Sequence, residues 1–209
     1  MTSFEKEGFR KYRTGRLNSC IMSSYSYLRD LYSDKNDFIY IDVGDLITDA
    51  YVVKNDVIQA TVSIPLGKKQ ILRSASARTQ TPADILLSAM HITHRGDNAL
   101  PYEKANKIAK DAIKDWLKQL NESISNVCAD INIPKNIFFI TNDQLTDILI
   151  TEINSNAKTR QFRIFNEDTE IMSVDENVLN NLISNGTVYK DEPHIKMDLV
   201  FLDKMVYKV

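Results

Sequence analysis

The chain has 209 residues, 43% of them hydrophobic, enough for one sizeable core and a small appendage. With 26 Lys and Arg against 28 Asp and Glu it is close to neutral, so no global field draws it to nucleic acid or anionic lipid. Cys20 and Cys128 are too few for a disulfide framework and too distant in sequence for a zinc pair, no apolar stretch reaches membrane-spanning length, and the basic residues 1–16 precede no signal-type apolar region; a cytoplasmic protein is the simplest expectation.

Residues 1–36 are polar, basic and rich in Ser and Tyr, and they predict a short helix over 23–31 carrying Tyr27, Leu28 and Leu31. From 37 to 166 the pattern is that of the main α/β lobe. Phe38-Ile39-Tyr40-Ile41 is a β-branched and aromatic run of the kind that forms a buried strand, ending at Asp42-Val43-Gly44. Residues 47–54 and 57–64 read as two more strands joined by Asn55-Asp56, which tolerate the positive φ of a hairpin. Helices are predicted over 68–77, over 82–90 with Thr81 as N-cap and Pro82 at the first helical position, and over 101–127. In the last of these Ala105, Ile108, Ala112, Ile113, Trp116, Leu120, Ile124 and Val127 make one apolar stripe. A fourth strand at 136–141, a helix at 144–154 and a fifth strand at 161–165 follow. Residues 167–209 form a helical extension, with helices predicted at 175–184 and 195–209. Three strands in a row, then helix, strand, helix, strand, is the order of a ribonuclease-H-like α/β layer with a mixed five-stranded sheet.

The segment Asp42-Val43-Gly44-Asp45-Leu46-Ile47-Thr48-Asp49 places carboxylates, a glycine and a hydroxyl in one turn. Such a turn can be an ordinary hairpin. It can also be a phosphate cradle, in which Gly44 brings backbone N–H groups near an anion, Thr48 donates to a phosphate oxygen, and Asp42 holds Mg²⁺. Residues 38–49 resemble the second phosphate-binding motif of actin-like ATPases of the FtsA and PilM group. The segment Ala60-Thr-Val-Ser-Ile-Pro-Leu-Gly67 is similar to the Ser-(apolar)-Pro-(apolar)-Gly turn that follows in those proteins. The resemblance spans about residues 25–153 and implies an actin-like ATPase lobe. It adds Asp49 and, at the end of the fourth strand, Thr141, Asn142 and Asp143 to the nucleotide-binding set.

Three departures qualify it. Asp45 and Leu46 stand where small residues are usual, Asn142-Asp143 stands where the family has a Gly-Gly adenosine loop, and too few residues precede Asp42 to hold the first phosphate motif. The resemblance therefore implies the second lobe alone. ATP and Mg²⁺ are expected to be weakly held or lost, with no catalytic residue assigned and ATPase activity the only enzymatic alternative. The function expected is a scaffold in cell division or pilus assembly; the alternative is an ATP-binding lobe that needs a partner lobe for Mg-dependent hydrolysis. Partners are proteins, including a homodimer or a separately encoded lobe docked on an exposed 23–31 helix, with no nucleic acid and only indirect membrane contact. His91 and His94, one helical turn apart, lack a third metal ligand in sequence, and the Lys104 to Lys118 series reads as a solvated helix face.

Overall fold

A run of four apolar residues fits a strand covered on both faces, and Phe38 to Ile41 lie in β1 (Phe38–Val43), where only Asp42 is less than fully buried. The structure, a computed structural model, describes residues 20–94, 103–140, 145–157, 162–174 and 193–207. Strand β2 (Thr48–Lys54) pairs antiparallel with β1, running from Phe38 opposite Val53 to Val43 opposite Thr48. The turn Asn55-Asp56, with φ of 50° and 62°, leads into antiparallel β3 (Val57–Ile64). On its other side β1 takes β4 (Asn136–Ile140) in parallel, and β5 (Glu170–Ser173) lies parallel beside β4. The sheet order is β3-β2-β1-β4-β5, the mixed ribonuclease-H-like arrangement expected.

Four helices, α2 (Lys68–Thr79), α3 (Ala83–His94), α4 (Glu103–Val127) and α5 (Leu145–Ala157), contribute to one core with this sheet. Ile39, Ile41, Val43, Ala50, Val52, Ile137 and Phe139 come from the strands; Ala112, Ile113, Trp116, Leu117, Leu120 and Ile124 come from α4. Trp116 sets its ring edge against Phe139 at 6.5 Å. The predicted α4 stripe is this buried face from Ala112 to Ile124, joined by Ala109 and Leu117, while Ala105 and Ile108 are half-buried and Val127 is exposed. On the opposite side of the sheet Phe38 meets Phe138 edge-on at 5.2 Å and Tyr40 stacks on Tyr51 at 5.5 Å.

Two expectations are corrected. The fifth strand is not at 161–165. Phe162, Ile164 and Phe165 are buried, but the Ile164 N–H donates to the side chain of Asn121 on α4, at 3.0 Å, instead of to a strand. The outer place in the sheet goes to Glu170–Ser173, past the expected limit at 166, and the compact unit containing the sheet is Asp34–Glu176.

The second correction concerns α1 (Cys20–Leu31), which belongs with α6 (Pro193–Tyr207) to a separate unit. Its apolar residues are not an open patch: Tyr27 and Leu28 are each 1% exposed and Leu31 is half-buried. Helix α6 packs along α1, burying Met197 and Val200, and Lys204 bonds to Ser26 and pairs with Asp30. Ile195 and Leu202 on the same helix are exposed. The predicted helix at 175–184 lies outside the described residues, among which no helix is long and apolar enough to cross a membrane.

Cys128, one residue past α4, is fully buried, and that burial pushes its thiol above the ordinary value, with Arg163 opposing the shift. At neutral pH a thiol-specific reagent should modify Cys128 slowly in the folded chain and rapidly in concentrated urea, as followed by peptide mass mapping; equal rates would contradict the packing described.

Candidate phosphate-binding loop

Strand register, before any loop, brings the acidic residues together. Asp42 at the end of β1 stands opposite Asp49 on β2 and Ile140 on β4, and Asp49 stands opposite Ser63 on β3. Residues directly opposite share a face of the sheet, so two carboxylates lie side by side where like charges repel. Asp49 accepts a hydrogen bond from the Ser63 hydroxyl. Asp42 and Asp49 are the two side chains here that a divalent cation could join. Among the described residues no three His, Cys, Asp or Glu side chains gather as a metal site. His91 is partly buried, and the side chain of His94 lies outside the described residues.

The loop from Gly44 to Ile47 is bound to the start of α2. The Gly44 N–H donates to the Ile47 carbonyl at 3.0 Å, and the Gly44 and Asp45 carbonyls accept from the N–H groups of Lys68 and Lys69 at 3.0 and 2.9 Å. Helix-start amides of this kind are the donors that ordinarily receive an anion. Here they are engaged by the loop's own backbone. Gly67, the N-cap, lies so close that a Cβ there would come within 2.5 Å of Gly44 O and Asp45 C. The two motifs singled out in the sequence, Asp42–Asp49 and Ser63–Gly67, are thus in direct backbone contact.

This arrangement changes what two of the expected phosphate ligands can do. Thr48 is fully buried; its hydroxyl donates to the Leu66 carbonyl at 2.6 Å and accepts from the Trp116 indole N–H at 3.2 Å. It pins β2 to the Leu66 turn and to α4, and it has no lone role at the loop mouth. Gly44 has both backbone groups engaged internally, and its lack of a side chain serves a close approach to Ile47 O, 3.1 Å from a Cβ position. Thr141, Asn142 and Asp143 lie outside the described residues. Among the described residues, the Thr48 hydroxyl and the Gly44 backbone groups are thus already bonded within the protein.

Three residues that sequence reasoning passed over complete the loop: Lys68, Lys69 and Trp116. Asp45 lies 2.8 Å from Lys69 Nζ and 3.4 Å from Lys68 Nζ, and Lys68 is buried. The signal was present, because two lysines in the first turn of a helix oppose its dipole and call for an anion nearby. Asp45 supplies that anion. The hydrogen bond from Lys69 holds its carboxyl below the ordinary value, desolvation opposes the shift, and the Lys68 charge assists it. At the tip Leu46 and Ile47 are 66% and 48% exposed, so the loop shows an apolar end where small residues were expected.

With the strand order and this loop described, the class is plain: the chain has the actin-like ATPase fold. No protein-family model matches it, and comparison with curated sequences finds no match. Among solved structures it is similar to a chain of the PilM-PilN type IV pilus biogenesis complex, with a TM-score of 0.57, 10% identity and coverage of 90% of this chain and 52% of that one. It is also similar to acetate kinase from Entamoeba histolytica, with a TM-score of 0.50, 9% identity and coverage of 90% and 56%. The chain spans about half the length of these structures.

Thr48→Val, which keeps shape and removes the hydroxyl, strands the buried Trp116 N–H and Leu66 carbonyl and should cost about 2 kcal/mol in urea unfolding; an unchanged midpoint would mean the hydroxyl is no pin. Asp45 has a lowered carboxyl pKa when folded, so its stabilisation is full above the unfolded carboxylate range, near pH 4, and is lost as pH falls through the folded value. Because the site is largely open to solvent, Asp45→Asn should cost only about 0.5 kcal/mol at pH 7. The gap between the two proteins should close toward pH 2, and a gap that persists there would refute the ion-pair account.

Proposed function

We propose that this protein is a scaffold of the FtsA and PilM type, acting by protein contact in cell division or pilus assembly, with a nucleotide site that no longer works as one. One observation carries the reading: the Asp45 carboxylate and the Gly44 and Asp45 carbonyls occupy the lysines and helix-start amides of α2 that would face a phosphate. Buried Thr48 and the apolar tip Leu46-Ile47 support it. The fold shared with a chain of the PilM-PilN complex is consistent with a protein partner of the pilus-assembly kind. In this reading the protein is cytoplasmic and reaches the membrane only through partners.

A second reading has a specific observation behind it, the side-by-side carboxylates Asp42 and Asp49, which a Mg²⁺ ion would relieve. Under it the chain is an ATP-binding lobe that a separate lobe completes. Calorimetric titration with Mg·ATP separates the two. No micromolar binding is expected for the unsubstituted chain, and micromolar binding that disappears in Asp42→Ala would replace the scaffold reading with the ATP-binding one.

A further inference from the structure

The geometry points to the outer edge of β3 as the seam of a homodimer, in which residues 60–64 of two copies pair antiparallel about a twofold axis at Val62. The two edges of the sheet differ in how they meet solvent. At one end β5 has 4 residues and opens with Glu170, ion-paired to Lys35 at 2.9 Å. A short edge carrying a charge discourages a further strand. At the other end β3 has 8 residues, Val-Ile-Gln-Ala-Thr-Val-Ser-Ile, with no charge and no proline. Its side chains alternate between exposed and half-buried as far as Ser63, with Val57 55% exposed, and among the described residues no strand pairs with its outer side. Such an edge is a template for another chain.

The occupant follows from the residue pattern. The register shift between Val52 and Val53 leaves Gln59 out of the pairing with β2, a bulge that bends the strand there, so the regular stretch is residues 60–64. Under a twofold perpendicular to the sheet each residue meets one from the same face. Centred on Val62, Val62 meets itself, Ala60 meets Ile64, and Thr61 meets Ser63. Apolar side chains meet on the core side, where Ala60 and Val62 already pack against the cluster, and hydroxyls meet on the exposed side. No charged residue of β3 enters the seam, and the Ser63 hydroxyl that meets Thr61 is bonded on its own sheet to Asp49. A foreign peptide would need a matching sequence, whereas a second copy carries it by construction. The seam is independent of the nucleotide loop, so it holds whichever way the Mg·ATP titration falls.

Sedimentation velocity on the full chain over a concentration series extending to millimolar tests this, with Thr61→Lys as the disrupting variant because the exposed lysines repel diagonally across the seam. A dimer is expected for the unsubstituted chain, and about tenfold weaker association for Thr61→Lys at unchanged thermal stability. Should Thr61→Lys fail to fold, mild oxidation of Val62→Cys decides. It should yield a disulfide-linked dimer, while Val57→Cys, whose two copies would lie roughly 30 Å apart, and the unsubstituted chain should not. An unsubstituted chain that stays monomeric throughout, a dimer that Thr61→Lys leaves at full strength, or a Val62→Cys protein that does not cross-link at that pair overturns the proposal.

Discussion

The approach of Gly67 to the backbone of Gly44 and Asp45 is the constraint from which the candidate site follows. Only a residue without a Cβ lets α2 begin against the loop, and that contact aligns the Lys68 and Lys69 amides with the loop carbonyls. The same turn presents the Leu66 carbonyl to Thr48, and Thr48 in turn receives Trp116. One steric allowance therefore ties a strand pair, a helix start and the long helix α4 into a single hydrogen-bonded unit. Larger groups at position 67 would have to push the loop away, and the Asp45 lysine contacts would go with it.

The loop shows how the donors of a helix start can be taken up from within the chain. A helix start with free amides and a lysine is an anion receptor by its field alone. In this chain the receptor is filled from within, by carbonyls on the amides and by a carboxylate on the ammonium groups. The exposed end of the loop consists of the apolar side chains Leu46 and Ile47.

Much of the fold was legible because its signals were local. The Phe38–Ile41 run, the Asn55-Asp56 turn and the α4 stripe each announce their structure within a few residues. Residues 161–165 misled because apolar residues at Phe162, Ile164 and Phe165 follow from burial, while strand status depends on where the amides bond, and Ile164 bonds to a side chain of α4. β5 was invisible for the opposite reason, since Glu170-Ile-Met-Ser is too short and polar to stand out. In the site, Asp42 and Asp49 were placed together correctly, as the register shows. Thr48, whose spacing from Ala50 and Val52 puts it on the inward face of β2, has its hydroxyl bonded to Leu66 and Trp116. The Lys68 and Lys69 partnership with Asp45 required knowing that two motifs separated in sequence touch.

Trp116 is the chain's single tryptophan, it is 2% exposed, and its indole N–H is bonded to Thr48 at the root of the loop. The protein consequently carries an optical reporter wired to its own candidate site. Emission from a buried indole depends on that hydrogen bond and on the dryness around it, so anything that lifts the loop from α2 changes the colour and yield of one fluorophore, with no label and no second tryptophan to dilute the signal.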